Sequence, residues 1–144
     1  MHTGANMGAN MTEPFSSDLA IARAYFDRFA MAFATFDGAQ VAGLFATPGV
    51  ALRRDGSLIA LTTRDDVIRY YQAALERYRR DGCRSCRWSQ LTVTPMGRRS
   101  LLATVTWDLL REDGTILTRW RQSYSLCHTD DDTPSAFASA MHAE

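Results

Sequence analysis

Apolar and polar residues alternate along the last third of the chain, and this period-two spacing predicts long β-strands. One segment is apolar at every second position, at Leu101, Ala103, Val105, Trp107 and Leu109. A second alternates in the same way at Trp120, Gln122, Tyr124 and Leu126. The turn Glu112-Asp113-Gly114 separates them, and Asp-Gly between alternating segments is typical of a β-hairpin. We therefore predict two long antiparallel strands, Ser100 to Arg111 and Thr115 to His128.

The first half of the chain has helical spacing instead. Apolar residues recur every three or four positions, at Ile21, Tyr25, Phe26, Phe29, Phe33 and Phe36. This pattern predicts a long amphipathic helix with an aromatic face, which Asp37-Gly38 ends. A short second helix is expected from about Ala39 to Ala46. A third helix begins at an N-cap on Thr62 or Thr63 and ends at Gly82.

Shorter strands complete the predicted fold. A small hairpin pairs Val50 to Arg53 with Leu58 to Leu61. One strand, about Arg84 to Pro95, precedes the long hairpin, and another, Ser135 to His142, closes the chain. The order α-α-β-β-α-β-β-β-β is that of an α+β fold with helices layered on an antiparallel sheet. We expect a single domain over residues 15–144, after a Gly-rich tail, residues 1–14, that we predict to be disordered.

Composition excludes several classes of function. Sixteen basic residues balance sixteen acidic ones, so no net field attracts nucleic acid or a membrane surface. No apolar run approaches the roughly 20 residues of a membrane-spanning helix, and the start lacks a signal-peptide pattern. Three Cys residues give no even disulfide framework, which favours the cytoplasm. No phosphate- or dinucleotide-binding motif is present, so we expect no cofactor, no nucleic-acid partner and no membrane partner.

Two local clusters have simple interpretations. Cys83-Arg-Ser-Cys86 follows a helix instead of opening one, so it lacks the thiolate stabilisation of a redox site. A zinc site needs four ligands, and adjacent Cys127 and His128 point to opposite faces of a strand; we predict no metal site. His142 is expected to face outward. A basic patch, interpreted as solvated, comprises Arg77, Arg79, Arg80, Arg84, Arg87, Arg98 and Arg99.

Three stretches resemble a known family: Tyr25 to Ala46, Thr63-Arg-Asp-Asp-Val-Ile-Arg-Tyr-Tyr, and Arg121-Gln-Ser-Tyr-Ser-Leu. With the element order, they make residues 15–142 similar to the nuclear transport factor 2-like superfamily, which includes ketosteroid isomerases and SnoaL-like polyketide cyclases. The resemblance implies a cystatin-like cone, a curved antiparallel sheet wrapped around the first helix with an apolar pocket open at one end. It also implies a homodimer formed through the outer face of the sheet.

The isomerases of that superfamily use a Tyr on the first helix and two Asp residues on strands. By spacing, these positions correspond to Phe29, Arg53 and Gln122. Phe29 has no hydroxyl, and Arg53 is not a base near neutral pH. Only Gln122 keeps a hydrogen-bond donor, so we do not expect isomerase chemistry by that mechanism.

The same alignment predicts the pocket lining. The expected residues are Tyr25, Phe29, Phe33, Arg53, Tyr71, Val105, Trp107, Leu109, Trp120, Gln122, Tyr124 and Phe137, with Ser139 and Met141 beside Phe137. A buried amide at Gln122 requires hydrogen-bond partners. Arg53 is placed to clamp a carboxylate or phosphate at the pocket mouth, to pair with a nearby Asp or to face solvent.

Two functional hypotheses follow from this lining. In the first, the pocket binds a small hydrophobic, aromatic or polyketide-like molecule. Cofactor-independent isomerase, cyclase or dehydratase chemistry stays open, with Gln122 and Tyr124 as donors to an oxyanion, although no base is identified. An open pocket beside a buried Gln122 favours this hypothesis.

The second hypothesis is a non-catalytic interaction or scaffold module in which Trp107, Trp120 and Phe137 fill the cone. It uses the outer face of the sheet, where six polar residues alternate with the inward ones: Thr104, Thr106, Asp108, Arg119, Arg121 and Ser123. A homodimer is expected under both hypotheses.

Overall fold

The computed structural model describes residues 7–128 and 133–143, with side chains from residue 17 onward. Its helices are α1 (Met7–Phe33), α2 (Gly38–Ala42) and α3 (Arg64–Arg80). Its strands are β1 (Phe45–Leu52), β2 (Leu58–Leu61), β3 (Ser85–Met96), β4 (Ser100–Leu110), β5 (Ile116–His128) and β6 (Pro134–Met141). The predicted α+β element order is confirmed over these ranges.

The largest differences from the predicted boundaries are at the start of α1 and where α2 meets β1, which begins at Phe45 and not at Val50. Helix α1 starts at Met7, inside the segment predicted to be a disordered tail, and residues 1–6 lie outside the described residues. Helix α2 ends at Ala42 and not at Ala46, because the chain enters β1 at Phe45. There Phe45 pairs with Ala136 of β6, so backbone pairing replaces a further helical turn.

One curved sheet contains the strands in the order β2-β1-β6-β5-β4-β3. The long hairpin pairs as expected, with Trp107 opposite Trp120. The sheet is mixed and not wholly antiparallel, because β1 and β6 run parallel. Alternation along single strands carries no information on this pairing, since β6 returns from the chain end to lie between β1 and β5.

Local signals fix the positions of the short elements. Thr63 Oγ1 accepts a hydrogen bond from the Asp66 N–H at 3.2 Å, and Asp66 Oδ2 accepts one from the Thr63 N–H at 3.0 Å. This capping box starts α3. Gly82 follows the end of α3 with φ of +107°, a conformation that favours glycine. At Gly38 a Cβ would lie 2.7 Å from the Ile68 carbonyl oxygen, so glycine lets α2 pack closely on α3.

The core lies between α1 and the inner face of the sheet. Phe26 is 0 % exposed, and its ring centroid lies 5.2 Å from Tyr124 and 5.9 Å from Trp107. The buried Tyr25 hydroxyl donates to the Leu44 carbonyl oxygen at 2.9 Å. Aromatic packing of this kind holds the helix against the sheet. Among the residues described, no helix is long and apolar enough to cross a membrane.

Candidate functional site

A cavity of about 320 Å³ lies between the inner face of the sheet and helices α1 and α3. Nine of the twelve predicted residues line it. The helices and the β1–β2 hairpin provide Phe29, Phe33, Tyr71 and Arg53. Strands β4 and β5 provide Trp107, Leu109, Trp120, Gln122 and Tyr124, and β6 adds Ser139 and Met141. The cone therefore has an open interior at the place where the alternation pattern directs these side chains.

Three predicted lining residues lie elsewhere. Tyr25 and Val105 are fully buried in the core, where α1 covers the sheet. Phe137 is 37 % exposed and lies outside the cavity lining. The reason is a bulge, since Leu126 pairs with Ala136 and Ser125 pairs with Ala138, which leaves Phe137 without a partner on β5. A bulge of one residue reverses the inward and outward alternation beyond it.

The cavity also contains residues that sequence reasoning missed: Tyr70, Tyr78, Arg54, Asp55 and Arg77. Tyr70 and Tyr78 lie on α3, from which only Tyr71 was predicted to line the pocket. Arg54 and Asp55 belong to the β1–β2 turn, which sequence analysis treated only as a turn. Arg77 was assigned to the solvated basic patch. In the sequence, the sign of this part of the cavity wall is the concentration of Tyr and Arg residues in α3 and in the β1–β2 turn.

Three tryptophans form one row across the inner face, since Trp88 pairs with Trp107 and Trp107 with Trp120. Trp107 Nε1 donates to the Tyr124 hydroxyl oxygen at 2.7 Å, and Trp120 Nε1 donates to Gln122 Oε1 at 2.8 Å. Gln122 is 8 % exposed. The hydrogen-bond partner that the buried Gln122 amide requires is therefore the indole of Trp120.

The tyrosines of the site remain protonated. Burial raises the pKa of the Tyr124 and Tyr71 hydroxyls well above the usual phenol value. A hydrogen bond from Ser139 opposes this effect on the pKa of Tyr71, and one from Trp107 opposes it on that of Tyr124. Because burial disfavours the phenolate, these hydroxyls stay hydrogen-bond donors across the physiological pH range.

The mouth of the cavity is basic, with the guanidinium groups of Arg53, Arg54 and Arg77 and the single carboxylate of Asp55. Asp55 Oδ1 accepts hydrogen bonds from the Ser57 N–H at 2.9 Å and the Ser57 hydroxyl at 2.7 Å. These bonds, mainly, lower the pKa of Asp55. The carboxylate is thus held within its own turn. In the described parts of the chain, the three mouth arginines form no ion pair within 4 Å.

The outer face of the sheet contrasts with this cavity. Asp108 is only 1 % exposed, and its carboxylate accepts two hydrogen bonds from Arg119, at 2.6 and 3.0 Å, and one from Arg87 at 3.1 Å. The hydrogen bond with Arg119 is the main cause that lowers the pKa of Asp108. In the adjacent row, Arg121 donates to the Thr106 oxygen at 3.0 Å, and Thr106 donates to Gln90 Oε1 at 2.7 Å.

A third polar row follows on the same face. The hydroxyls of Thr104 and Ser123 lie 2.7 Å apart, and Ser123 Oγ lies 2.8 Å from His142 Nε2. His142 thus faces outward, as predicted. Polar side chains on this face are paired with one another.

The cysteines do not form a reactive pair. Cys83 is buried, its Sγ lies 3.3 Å from the Ser85 carbonyl oxygen, and burial raises its pKa. Burial raises the pKa of Cys86 to about 12. Both thiols are therefore protonated at neutral pH, which does not suit a nucleophile or a redox centre. Among the described residues, no group of three or more His, Cys, Asp or Glu side chains is arranged to hold a metal ion.

The fold and cavity define a cone of the nuclear transport factor 2-like kind. The family model described as NTF2-like protein (DUF6841) matches residues 17–143. The chain belongs to this family. No curated protein matches the chain in sequence.

Solved structures of low sequence identity have the same fold. An NTF2-like protein with a cystatin-like fold from Novosphingobium aromaticivorans has a TM-score of 0.73 and 16 % identity, with 99 % of this chain and 91 % of that chain covered. A protein from Catenulispora acidiphila, in complex with S-DNPA, has a TM-score of 0.69 and 17 % identity over 88 % and 94 % of the two chains. Aln2 from a Streptomyces species has a TM-score of 0.70 and 14 % identity over 87 % and 89 %. These similarities concern the fold.

Proposed function

We propose that the chain binds a small hydrophobic molecule inside its cone. The observation that carries the proposal is the open cavity of about 320 Å³ beside the buried Gln122. Enclosed, mostly apolar cavities with a few oriented polar groups are the usual form of a small-molecule site. Trp107 and Trp120 form walls of the cavity and leave its centre open, and Phe137 lies outside it. This arrangement supports the binding hypothesis over a filled scaffold.

Binding is better supported than catalysis. Among the described residues that line the cavity, Asp55 is the one carboxylate, and two hydrogen bonds from Ser57 occupy one of its oxygens. Gln122 and Tyr124 provide donors suited to a carbonyl or oxyanion. A general base within reach of a bound molecule is not supplied by this lining. The Catenulispora acidiphila neighbour, which has the same fold, is in complex with S-DNPA.

A cavity-filling substitution tests the binding proposal. Ala74 of α3 lines the cavity, whereas Ala73, the preceding residue, is exposed and outside the lining. We expect 1-aminoanthracene, a neutral fluorophore that brightens in apolar surroundings, to bind the wild-type protein and the Ala73→Trp variant. The Ala74→Trp variant should lose this binding while keeping its circular dichroism spectrum. Equal binding by both variants, or none by the wild type, would contradict the proposal.

We also propose that the outer face of the sheet forms a homodimer interface. Small side chains make this face flat, because Ser123 pairs with Thr104 and Ala140, and Ser125 pairs with Leu102 and Ala138. The polar groups in the rows of Asp108, Thr106 and Thr104 are bonded within the chain. A second copy can therefore cover these rows with few polar groups left unsatisfied.

The dimer proposal is tested by sedimentation velocity. The Ser125→Arg variant places a long cation in the middle of the flat face and should sediment as a monomer at micromolar concentration. A control, Glu112→Arg, alters the exposed β4–β5 turn and should remain dimeric. A wild-type protein that sediments as a monomer would refute this interface.

A further inference from the structure

Inside the cavity, Gln122 and Tyr124 each accept a hydrogen bond from a tryptophan, because an indole N–H can only donate. Trp120 Nε1 lies 2.8 Å from the Gln122 side-chain oxygen, which fixes the amide with its NH₂ group away from that indole. Trp107 Nε1 lies 2.7 Å from the Tyr124 oxygen, so the Tyr124 proton must point elsewhere. Both tryptophans thus occupy acceptor atoms and leave donors for a ligand.

These remaining donors have no partner in the described chain. No hydrogen bond to a described residue uses the Gln122 NH₂ group or the Tyr124 proton, and both side chains line the cavity. Burial keeps Tyr124 protonated, so its hydroxyl retains a proton to donate at physiological pH. The part of the cavity wall formed by Gln122 and Tyr124 is therefore matched to an acceptor such as an ether or carbonyl oxygen.

The mouth adds positive charge to this arrangement. Arg53 and Arg77 act on the same hydroxyl: burial raises the pKa of Tyr70, and both guanidinium groups oppose that increase. The Arg77 guanidinium carbon lies 5.5 Å from the centroid of the Tyr78 ring. Asp55 is held by Ser57 and does not pair with these cations within 4 Å. Arg53 also helps to lower the pKa of Asp55, so the two charges interact without forming an ion pair. Partly solvated guanidinium groups without a carboxylate within 4 Å are well suited to bind one from a ligand.

Resting on the proposed binding function, we infer that the ligand is an aromatic carboxylate. Its ring lies among the aromatic walls of Trp107, Trp120 and Tyr71, its carboxylate meets Arg53 and Arg77 at the mouth, and a neutral acceptor meets Gln122 and Tyr124. The carboxylate belongs at the mouth because an anion held away from these guanidinium groups would lose its hydration without gaining a cation. A cationic or donor-rich ligand would leave its own donors facing other donors.

Two isosteric probes test this inference: 6-methoxy-2-naphthoate, an anion with a distal ether acceptor, and 2-acetyl-6-methoxynaphthalene, its neutral ketone counterpart. Calorimetry should give a dissociation constant for the naphthoate roughly tenfold to a hundredfold lower, the range of one charge-assisted hydrogen bond. The Arg53→Gln and Arg77→Gln variants should each reduce this preference. Arg80→Gln, at an exposed position of α3 outside the lining, should leave the preference for the naphthoate unchanged. Gln122→Leu should weaken the binding of both probes.

The outcomes separate the two proposals. If both probes bind equally well and Ala74→Trp abolishes both, the binding function stands and the inference is wrong. If neither naphthalene binds while 1-aminoanthracene does, the inference is also wrong and the binding function again stands. If none of the three compounds binds, both proposals fail. A preference for the naphthoate that survives both arginine substitutions would place the carboxylate elsewhere and overturn the inference.

Discussion

The two faces of the sheet use polar side chains in opposite ways. On the outer face, Asp108, Thr106 and Thr104 each bond to neighbours on adjacent strands. On the inner face, Gln122 and Tyr124 each accept a bond from an indole and keep a donor directed away from it. The outer groups bond to one another across strands, whereas the remaining donors of the inner face line the cavity. Polarity alone therefore does not mark the site; the unused donors beside a cavity mark it.

The largest expected effect comes from the packed part of the inner face. Phe26→Ala should reduce the free energy of unfolding by about 3–5 kcal/mol, because a fully buried ring is replaced by a void. Phe137→Ala, the same change at the outward bulge, should cost about 1 kcal/mol or less. Urea denaturation of both variants measures the difference. Equal losses would mean that Phe137 is buried and that the bulge is misplaced.

Asp108→Asn should have the next largest effect on stability. It should reduce the free energy of unfolding by roughly 1–3 kcal/mol, because it removes the charge that two arginines bind. The folded pKa of Asp108 is held below its unfolded value, about 3.9. Its contribution is therefore complete above that unfolded pKa and disappears as pH falls through the folded pKa.

Urea denaturation at a series of pH values from neutral to about pH 2 measures the contribution of Asp108 to the free energy of unfolding. This contribution should decrease at pH values below the unfolded Asp pKa of about 3.9. The wild-type protein and Asp108→Asn should differ at pH 7 and converge in acid. Glu112→Gln, in the exposed β4–β5 turn, provides the control and should match the wild type throughout. A constant difference at every pH would show that the charge of Asp108 is not the cause.

Burial of Cys86 should affect its reactivity and not the stability of the fold. Cys86 pairs with Leu109 on the inner face, and burial raises its pKa to about 12. Since the thiolate reacts, alkylation of Cys86 at pH 8 should be at least roughly a hundredfold slower than that of free cysteine, whose pKa is about 8.5. Mass spectrometry of iodoacetamide-treated protein, digested at intervals, gives the rate at this residue. Labelling as fast as that of free cysteine would mean that this part of the inner face is open to solvent.

Much of the fold was predictable because its signals are local. Period-two spacing around Asp113-Gly114 predicts the β4–β5 hairpin, and Trp107 indeed pairs with Trp120. The same alternation correctly assigns Gln122 and Tyr124 to the inner face. The Thr63 capping box and Gly82 mark the two ends of α3. Each of these features depends on residues that lie close together in sequence.

Other parts of the site depend on which distant elements meet. The parallel pairing of β1 with β6 and the bulge at Phe137 arise where the last strand joins strands already paired. Arg77 reaches the mouth only because α3 packs beside the β1–β2 turn that carries Arg53. No local pattern encodes such a meeting.

The sequence by itself determined the element types, most inward residues and the family resemblance, because alternation and capping follow from backbone geometry over a few residues. Only the tertiary structure decided that the cone is hollow, that its mouth is basic and that two indoles occupy the acceptors of Gln122 and Tyr124. Those properties depend on distances between side chains from separate strands and helices, which packing of the whole chain sets.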